Sequence, residues 1–428
     1  MFFFWLWDKR MRTVTLILLV INCNRPMWNF NKLLGVSGFS IVNCSSDDKN
    51  VIFHLKRRRK TAVCPRCSRR TKNIYDRTPE RKLKHGTILG KICTIFFRTR
   101  RFYCVFCRLV FVEETNIAPR YQRATLKHKK EVVLNLSDRS FLSGTRKYSV
   151  SYHTQRKWLN ELVRTEVFNF SEEEKEGAPF VLGIDEVSFS GHQMLTTVGN
   201  ITKHRLKGVM TSKNKTDLKK LLRSLSPSVK SLISEVVIDM CDLYLFSVRE
   251  VLPKTSIVVD HFHVIQDANR RLDEWRRLLQ DIYKKPIKRY ILTKNKEDLQ
   301  YWQVLELESI IKHYPELKMY WETKERLRTM YKVKDRQEAE EKLRLIISTL
   351  TSTDDGELIT WGRTLSRWKE YILNYWNSKS TNGYMEGMHN KMKLIKRISF
   401  GFKNKEVFIQ KVMLSVLITT LLLPQLLT

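Results

Sequence analysis

The hydrophobic pattern of this chain changes period twice. Residues 33–60, "LLGVSGFSIVNCSSDDKNVIFHLKRRRK", alternate apolar and polar positions around turn residues, which predicts two short strands leading into a basic segment. "LKHGTILGKICTIFFRTRRFYC" predicts a hairpin with a glycine in its turn. From "RATLKHKKEVVLNLSDRSF" the spacing becomes helical and continues through "YSVSYHTQRKWLNEL", a turn followed by a helix capped by Ser149 or Ser151. The acidic, turn-rich "SEEEKEGAP" then predicts a linker at 171–179. Beyond it, "FVLGIDEVSFS", "HQMLTTVGNIT" and "RLKGVMTS" predict three meandering strands. "TDLKKLLRSLS", "EVVIDM", "LYLFSVREVL" and "SIVVDHFHV" alternate helix and strand, which describes an α/β sheet of mixed direction. Residues of about 266–378 are helical throughout and predict an insertion beside that sheet. The chain continues as helix, Gly-Phe turn and helix.

Charge adds a partner to this picture. Lys and Arg number 78 against 44 Asp and Glu, a formal net charge of +34. A field of that sign favours polyanions and points to nucleic acid, ahead of a ribosomal-type structural role or a membrane surface. Eight cysteines include two C-x-x-C pairs, which favours a metal in a reducing, cytoplasmic setting over a disulfide framework. Residues 1–30 read as a non-essential extension, with Met27 as a better start. The apolar run Thr13–Ile21 is too short to span a bilayer. The final "VMLSVLITTLLLPQLLT" reads as a buried helix, so no membrane partner is expected.

The chemistry-bearing residues fall in three groups. Cys64 and Cys67 with Cys104 and Cys107 form two knuckles, and four thiolates close the tetrahedral shell of a structural Zn²⁺. The 36 residues between the knuckles exceed the common spacing. His85 and Cys93 lack any pair spacing, and Cys23, Cys44 and Cys241 carry no motif. In the capped helix, Arg156, Lys157 and Asn160 lie on the polar side while Trp158 and Leu162 point inward, the pattern of a DNA-reading helix-turn-helix. A plain helical hairpin with a basic face has the same pattern. The third group is acidic. Asp185 sits within one predicted strand and Asp239 ends another. Glu386 heads a late helix whose apolar stripe is Met385, Met388, Met392 and Ile395, and whose polar stripe is Glu386, Asn390, Lys393 and Arg397. Three converging carboxylates suit Mg²⁺ or Mn²⁺, and two such ions can clamp an in-line phosphoryl displacement. Read singly, Asp185 is equally a turn residue, Asp239 a helix cap and Glu386 a solvated side chain.

The stretches "CPRC" with "RRFYCVFC", "LGIDEVSF", "VVIDMCDLYLFSVREVLP", "IVVDHFHVIQDANRRLDEWRR" and "NGYMEGMHNKMKLIKRISFGFKN" together resemble the ISL-three family of insertion-sequence transposases. The resemblance runs from about Leu33 onward. It implies a zinc-ribbon domain at 31–115, a helix-turn-helix at 116–170 and a ribonuclease-H-like DDE catalytic domain at 180–428. Asp185, Asp239 and Glu386 match the family's carboxylates. "DHFH" fits a C/D-x-x-H signature of related families, and His263 is expected to bond Asp260 and brace the sheet edge behind the metal ligands. The implied partners are the element's terminal inverted repeats and target DNA on the nucleoid, with at least a dimer in the active complex. The rivals are a transposase-derived regulator without catalysis and a ribonuclease-H-like nuclease or resolvase.

Overall fold

A computed structural model of the protein describes residues 34–163 and 168–418. The expected extension at 1–30, Cys23 and the last residues of the terminal helix lie outside this range. The chain divides into two compact units between Leu162 and Val163.

Among the described residues of the first unit, β1 (Phe39–Ser46) and β2 (Asn50–Arg57) form an antiparallel pair. The small ribbon β3 (Ala62–Val63) and β4 (Arg70–Thr71) follows, then β5 (Ile74–Arg77), β6 (Arg81–Ile88), β7 (Lys91–Phe97), β8 (Arg100–Cys104) and β9 (Leu109–Val112). Strands β6 and β7 form the predicted hairpin, with Leu89 and Gly90 both at positive φ in its two-residue turn. That hairpin fills the long gap between the cysteine knuckles. It joins a separate four-stranded sheet of order β1-β2-β7-β6, while β5, β8 and β9 form a three-stranded one. Alternate residues Val51, Phe53, Leu55, Ile95 and Phe97 are buried together between the strands' polar positions.

Among the described residues, this sheet region is followed by the α-helices α1 (Leu126–Leu134), α2 (Phe141–Tyr148) and α3 (Tyr152–Leu162). Strands and helices expected as separate domains fall within one unit. The Glu131 carboxylate of α1 accepts from the Thr87 N–H of β6 at 2.9 Å. Between α2 and α3, Gln155 is buried and its amide donates to the carbonyls of Phe141 and Val150 and to the Thr145 hydroxyl. Only glycine leaves room for it, because a Cβ on Gly144 would sit 2.2 Å from Gln155 Oε1. Of the two expected caps, Ser151 accepts from Thr154 N–H on α3, while Ser149 ends α2 in the left-handed region. Trp158 is buried as expected; Leu159 rather than Leu162 completes the inward face.

The second unit corrects the expected linker at 171–179. Ser171–Glu176 forms a short helix, α4, because Glu173 is buried and paired with Lys207 Nζ at 2.6 Å. Asn200 donates to the same carboxylate at 3.0 Å. The sheet comprises β10 (Phe180–Ser190), β11 (Gln193–Asn200), β12 (Arg205–Met210), β13 (Ile233–Ile238) and β14 (Ser256–Val259). Its order is β12-β11-β10-β13-β14, with the first three strands antiparallel and the last three parallel. Val236, Val237 and Ile238 of β13 are wholly buried, as a central parallel strand covered on both faces requires. Helices α5 (Lys215–Ser224), α6 (Pro227–Leu232) and α7 (Asp242–Val251) connect the strands.

After β14 the chain is helical: α8 (His261–Tyr283), α9 (Arg289–Thr293), α10 (Tyr301–His313), α11 (Glu316–Tyr331), α12 (Arg336–Thr351), α13 (Gly356–Leu373) and α14 (Tyr375–Ser378). Their apolar faces meet around Leu272, Tyr320, Leu343, Trp361 and Trp368. Then α15 (Gly383–Ile398) and α16 (Lys405–Leu417) return to the sheet. Met385, Met388, Met392 and Ile395 are buried, and a Cβ on Gly199 of β11 would lie 2.6 Å from Met385 Sδ. The predicted apolar stripe therefore packs against the sheet. Among the described residues, no helix is long and apolar enough to cross a membrane.

Candidate active site and cysteine cluster

The four knuckle cysteines converge. Cys64 Sγ is 3.4 Å from Cys107 Sγ, Cys67 Sγ is 3.6 Å from Cys104 Sγ, and Cys104 and Cys107 are 3.4 Å apart. Ligands about 2.3 Å from one tetrahedral ion are about 3.8 Å from each other, so the cluster is the size a zinc ion needs. Both knuckles turn alike: the residue after each second cysteine, Ser68 and Arg108, has φ near 55° (56 and 52). Burial opposes charge on Cys64, but N–H groups of Cys67 and Arg66 and the neighbouring thiols bring it down to about 6. Burial and the other sulfurs push Cys107 up to about 12. His85 and Cys93 lie elsewhere, in the core. His85 bonds Thr125 Oγ1 and the Leu34 carbonyl.

The acidic site forms where the parallel strands end. Gly183 of β10 pairs with Val237 of β13, so Asp185 and Asp239 fall two residues further along neighbouring strands. The register of β13 and β14 puts Asp260 one residue past Val259, beside the end of β13. All three aspartates are buried. The edge of a sheet beyond the carboxyl ends of its parallel strands is where α/β folds build their sites.

Asp185, Asp239 and His263 form a group whose ligand atoms lie within 4.8 Å of one another. His263 Nε2 is 2.8 Å from Asp239 Oδ1 and 3.9 Å from Asp185 Oδ1. His263 and Asp239 thus form a close buried imidazole–carboxylate pair. Burial, and then the charge of Asp239, raises Asp185 to about 7. Burial also raises Asp239. It works against protonation of His263, but the aspartates prevail and raise that imidazole to about 9. Two adjacent buried carboxylates with imidazole nitrogens as close neighbours fit a divalent cation.

His263 therefore does not pair with Asp260 as expected. It sits on the first turn of α8, and its ring reaches Asp239. Asp260 caps α8 instead, accepting from Phe262 N–H, and its other oxygen accepts from Asn382 N–H at 3.3 Å. Asp260 thus braces the sheet edge to the start of α15. Asp242 is the first residue of α7 and lies 3.3 Å from Arg367.

Glu386 is in the first turn of α15 and exposed, outside the Asp–Asp–His group. The residue that α15 presents to Asp185 is His389, three positions on. Its Nδ1 is 3.6 Å from Asp185 Oδ2 and its Nε2 is 2.8 Å from Thr197 Oγ1. Burial, then the charges of Lys393 and His263, lowers His389 to about 4. Sequence reasoning missed His389 because it falls on the buried methionine stripe, where a histidine reads as core. The available signal was a titratable residue on that stripe. Asn390, Lys393 and Arg397 are exposed on the opposite face. On α3, Lys157 and Asn160 are exposed and Arg156 is half-buried. Lys157 lines a cleft of about 540 Å³ with Lys84, Arg123 and Lys129.

A mixed sheet with a cation-sized acidic site at its parallel edge, in a chain that also carries a four-cysteine cluster, defines an α/β protein with two groups of side chains able to hold metal ions. Comparison with known sequences narrows the class. The family model for DDE transposases of the ISL3 type, described as "Transposase", matches residues 182–412, just over half of the chain. The chain belongs to the ISL3 (ISL-three) family of transposases. It is 21% identical over 374 residues to the transposase for insertion sequence element IS1001 of Bordetella parapertussis, covering 85% of this chain and 91% of that protein. It is 27% identical over 264 residues to the transposase for IS1557 of Mycobacterium tuberculosis, covering 55% of this chain and 59% of that protein.

Proposed function

We propose that the protein is a DDE transposase that binds the terminal inverted repeats of its own element, cuts at their ends and joins the freed 3′-hydroxyl to target DNA. The observation that carries this reading is the buried Asp185–Asp239 pair, which with His263 brings three ligand atoms within 4.8 Å of one another. Strand order β12-β11-β10-β13-β14, antiparallel then parallel, supports a ribonuclease-H-like catalytic domain over 180–428. In this reading Asp185 and Asp239 hold Mg²⁺ or Mn²⁺, and Glu386 supplies the third carboxylate by its family correspondence. His389, on the same helix, contacts Asp185, which sets that helix against the site.

Bound divalent cations would activate water and neutralise charge on the scissile phosphate. The chain's residues do the rest. Water's oxygen bonds phosphorus as the 3′-oxygen leaves with a proton; that 3′-hydroxyl then attacks a target phosphate, and a target 3′-oxygen leaves. No covalent enzyme intermediate is required. His263 compensates the Asp239 charge in the free protein. Lys393 and Arg397, with Asn390, contact the DNA backbone beside the site. Arg156, Lys157 and Asn160 on α3 contact the terminal repeat, and the basic cleft beside Lys157 favours a backbone phosphate there. Cys64, Cys67, Cys104 and Cys107 hold Zn²⁺ and shape the DNA-binding part. Pairing two element ends requires at least a dimer, acting on nucleoid DNA in the cytoplasm.

A strand-transfer assay with labelled element ends and Mg²⁺ or Mn²⁺ tests the reading: joined products are expected. A regulator that only binds DNA is the rival, and it draws on the exposure of Glu386 outside the metal group. Binding without cleavage would establish that rival, and cleavage without joining would indicate a nuclease.

A further inference from the structure

We propose that the cysteine-bearing sheet carries a binding face for unpaired DNA, on which the rings of Phe106 and Tyr75 stack bases while the surrounding cations hold phosphates. This deepens the DNA-acting reading above and rests on it. Phe102, Cys104 and Phe111 face inward in this small sheet and are buried with Cys64. Alternation then turns Arg101 and Tyr103 of β8 outward, with Val110 of β9 paired to Tyr103. Tyr75 sits at a bulge of β5, between Ile74, paired with Phe102, and Asp76, paired with Arg101. It is 62% exposed. Phe106 lies in the turn that leaves β8 and is 67% exposed, although a phenylalanine ring has no polar atom to gain from water.

Each ring already holds a cation. The Arg69 guanidinium stands 4.2 Å from the centre of the Phe106 ring, reaching from the first knuckle to the second. Arg101 stands 5.5 Å from the centre of the Tyr75 ring and is anchored by Asp76, which accepts from its Nε at 2.6 Å. An aromatic face with an arginine beside it is the combination that stacks a nucleobase and holds the phosphate next to it. Residues 64–77 and 100–112 carry eight Lys and Arg against one acidic residue, Asp76. That charge selects a polyanion. It opposes a second copy of the same face, which would bring like charges together. Inside a duplex both faces of every base are covered by its neighbours, so exposed rings gain stacking only where bases are unpaired. A strand cut at the element's end can unstack there and supply such bases.

The test uses the full-length protein with Zn²⁺ supplied, and fluorescence anisotropy on a labelled mixed-sequence DNA strand, alone and annealed to its complement. Phe106→Ala combined with Tyr75→Ala should weaken single-strand binding about tenfold or more and change duplex binding by no more than about twofold. The slope of affinity against salt should stay as it is, since the phosphate contacts remain. Equal loss on both DNAs, or no loss on either, overturns the proposal. Photo-crosslinking of the unaltered protein to a strand carrying 5-iodouracil requires no variant to fold. The crosslinked peptides should contain Phe106 or Tyr75, and crosslinks confined to other peptides overturn the proposal. Tighter binding of an RNA strand of the same sequence overturns the assignment to DNA. If the single-strand effect fails while strand transfer proceeds, only this inference falls. If the protein binds neither form of DNA, the reading beneath it falls as well.

Discussion

The cysteine cluster and the aspartate site are built in opposite ways. The cluster takes its four sulfurs from two tight turns of identical design, each closed by the strands on either side. A whole hairpin, β6–β7, intervenes between the turns and goes to another sheet without disturbing them. The aspartate site draws on β10, the end of β13, the first turn of α8 and the middle of α15, with Asp185 and His389 more than two hundred residues apart. A locally closed site tolerates what is inserted into it. A distributed one depends on every element that reaches it.

That contrast can be broken by experiment, beginning with the largest effect. Chelation, or Cys64→Ser, would remove the zinc ion proposed to tie the two knuckles together. A structural zinc contributes on the order of 10 kcal/mol, so the first unit should unfold. Circular dichroism and DNA-binding assays should show the loss, while the second unit keeps its own melting transition. A single shared transition that shifts as a whole would show that the units are not independent in this sense. In the distributed site, Asp239→Asn should lower metal-dependent cleavage roughly a thousandfold with DNA binding intact. Should Asp260→Asn alone abolish cleavage while Asp239→Asn does not, the second ligand is Asp260.

Acid should strike the first unit through His128. Burial, then the charges of Lys84 and His85, depresses this histidine to about 4, and its Nδ1 accepts from the Gly86 N–H. Unfolded, it titrates near 6.5. Because the folded value is the lower one, the unfolded chain gains the proton first, and stability falls as pH drops from about 6.5 toward 4. Between pH 7 and pH 5 the loss should be about 2 kcal/mol, and His128→Gln should flatten it in chemical denaturation. Gly144→Ala, which drives a Cβ into Gln155, should cost about 1–3 kcal/mol and weaken DNA binding in proportion. Smallest of all, Asp242→Asn should change stability by no more than about 0.5 kcal/mol and leave cleavage alone, since Asp242 only begins α7 and meets a largely exposed arginine.

What could be read from the sequence follows the same division. The knuckles, the β6–β7 turn and the methionine stripe are local patterns, and their spacing carries their geometry. The alternation of strand and helix after Phe180 likewise describes the mixed sheet. The sequence misled where a partner is remote. The acidic 171–179 segment looked like a linker because Lys207, which draws Glu173 into the interior, is 34 residues away in the pairing. The C/D-x-x-H signature in "DHFH" pairs His263 with Asp260, but the end of β13 brings Asp239 to the imidazole. His389 was hidden for the reason that makes it interesting: it shares a face with buried methionines, and only the folded sheet puts Thr197 and Asp185 opposite it.

The late position of α15 has a consequence for how the protein is made. A ribosome finishes every residue of the first unit, and both aspartates, long before it reaches His389. A chain that stops short of α15 would carry the first unit, with its proposed DNA-binding surface, and an acidic site lacking the helix that bears Glu386 and His389. If the first unit binds the element's ends as proposed, such a product would compete there with the full-length protein, and premature termination in one gene copy would act as a brake on the others.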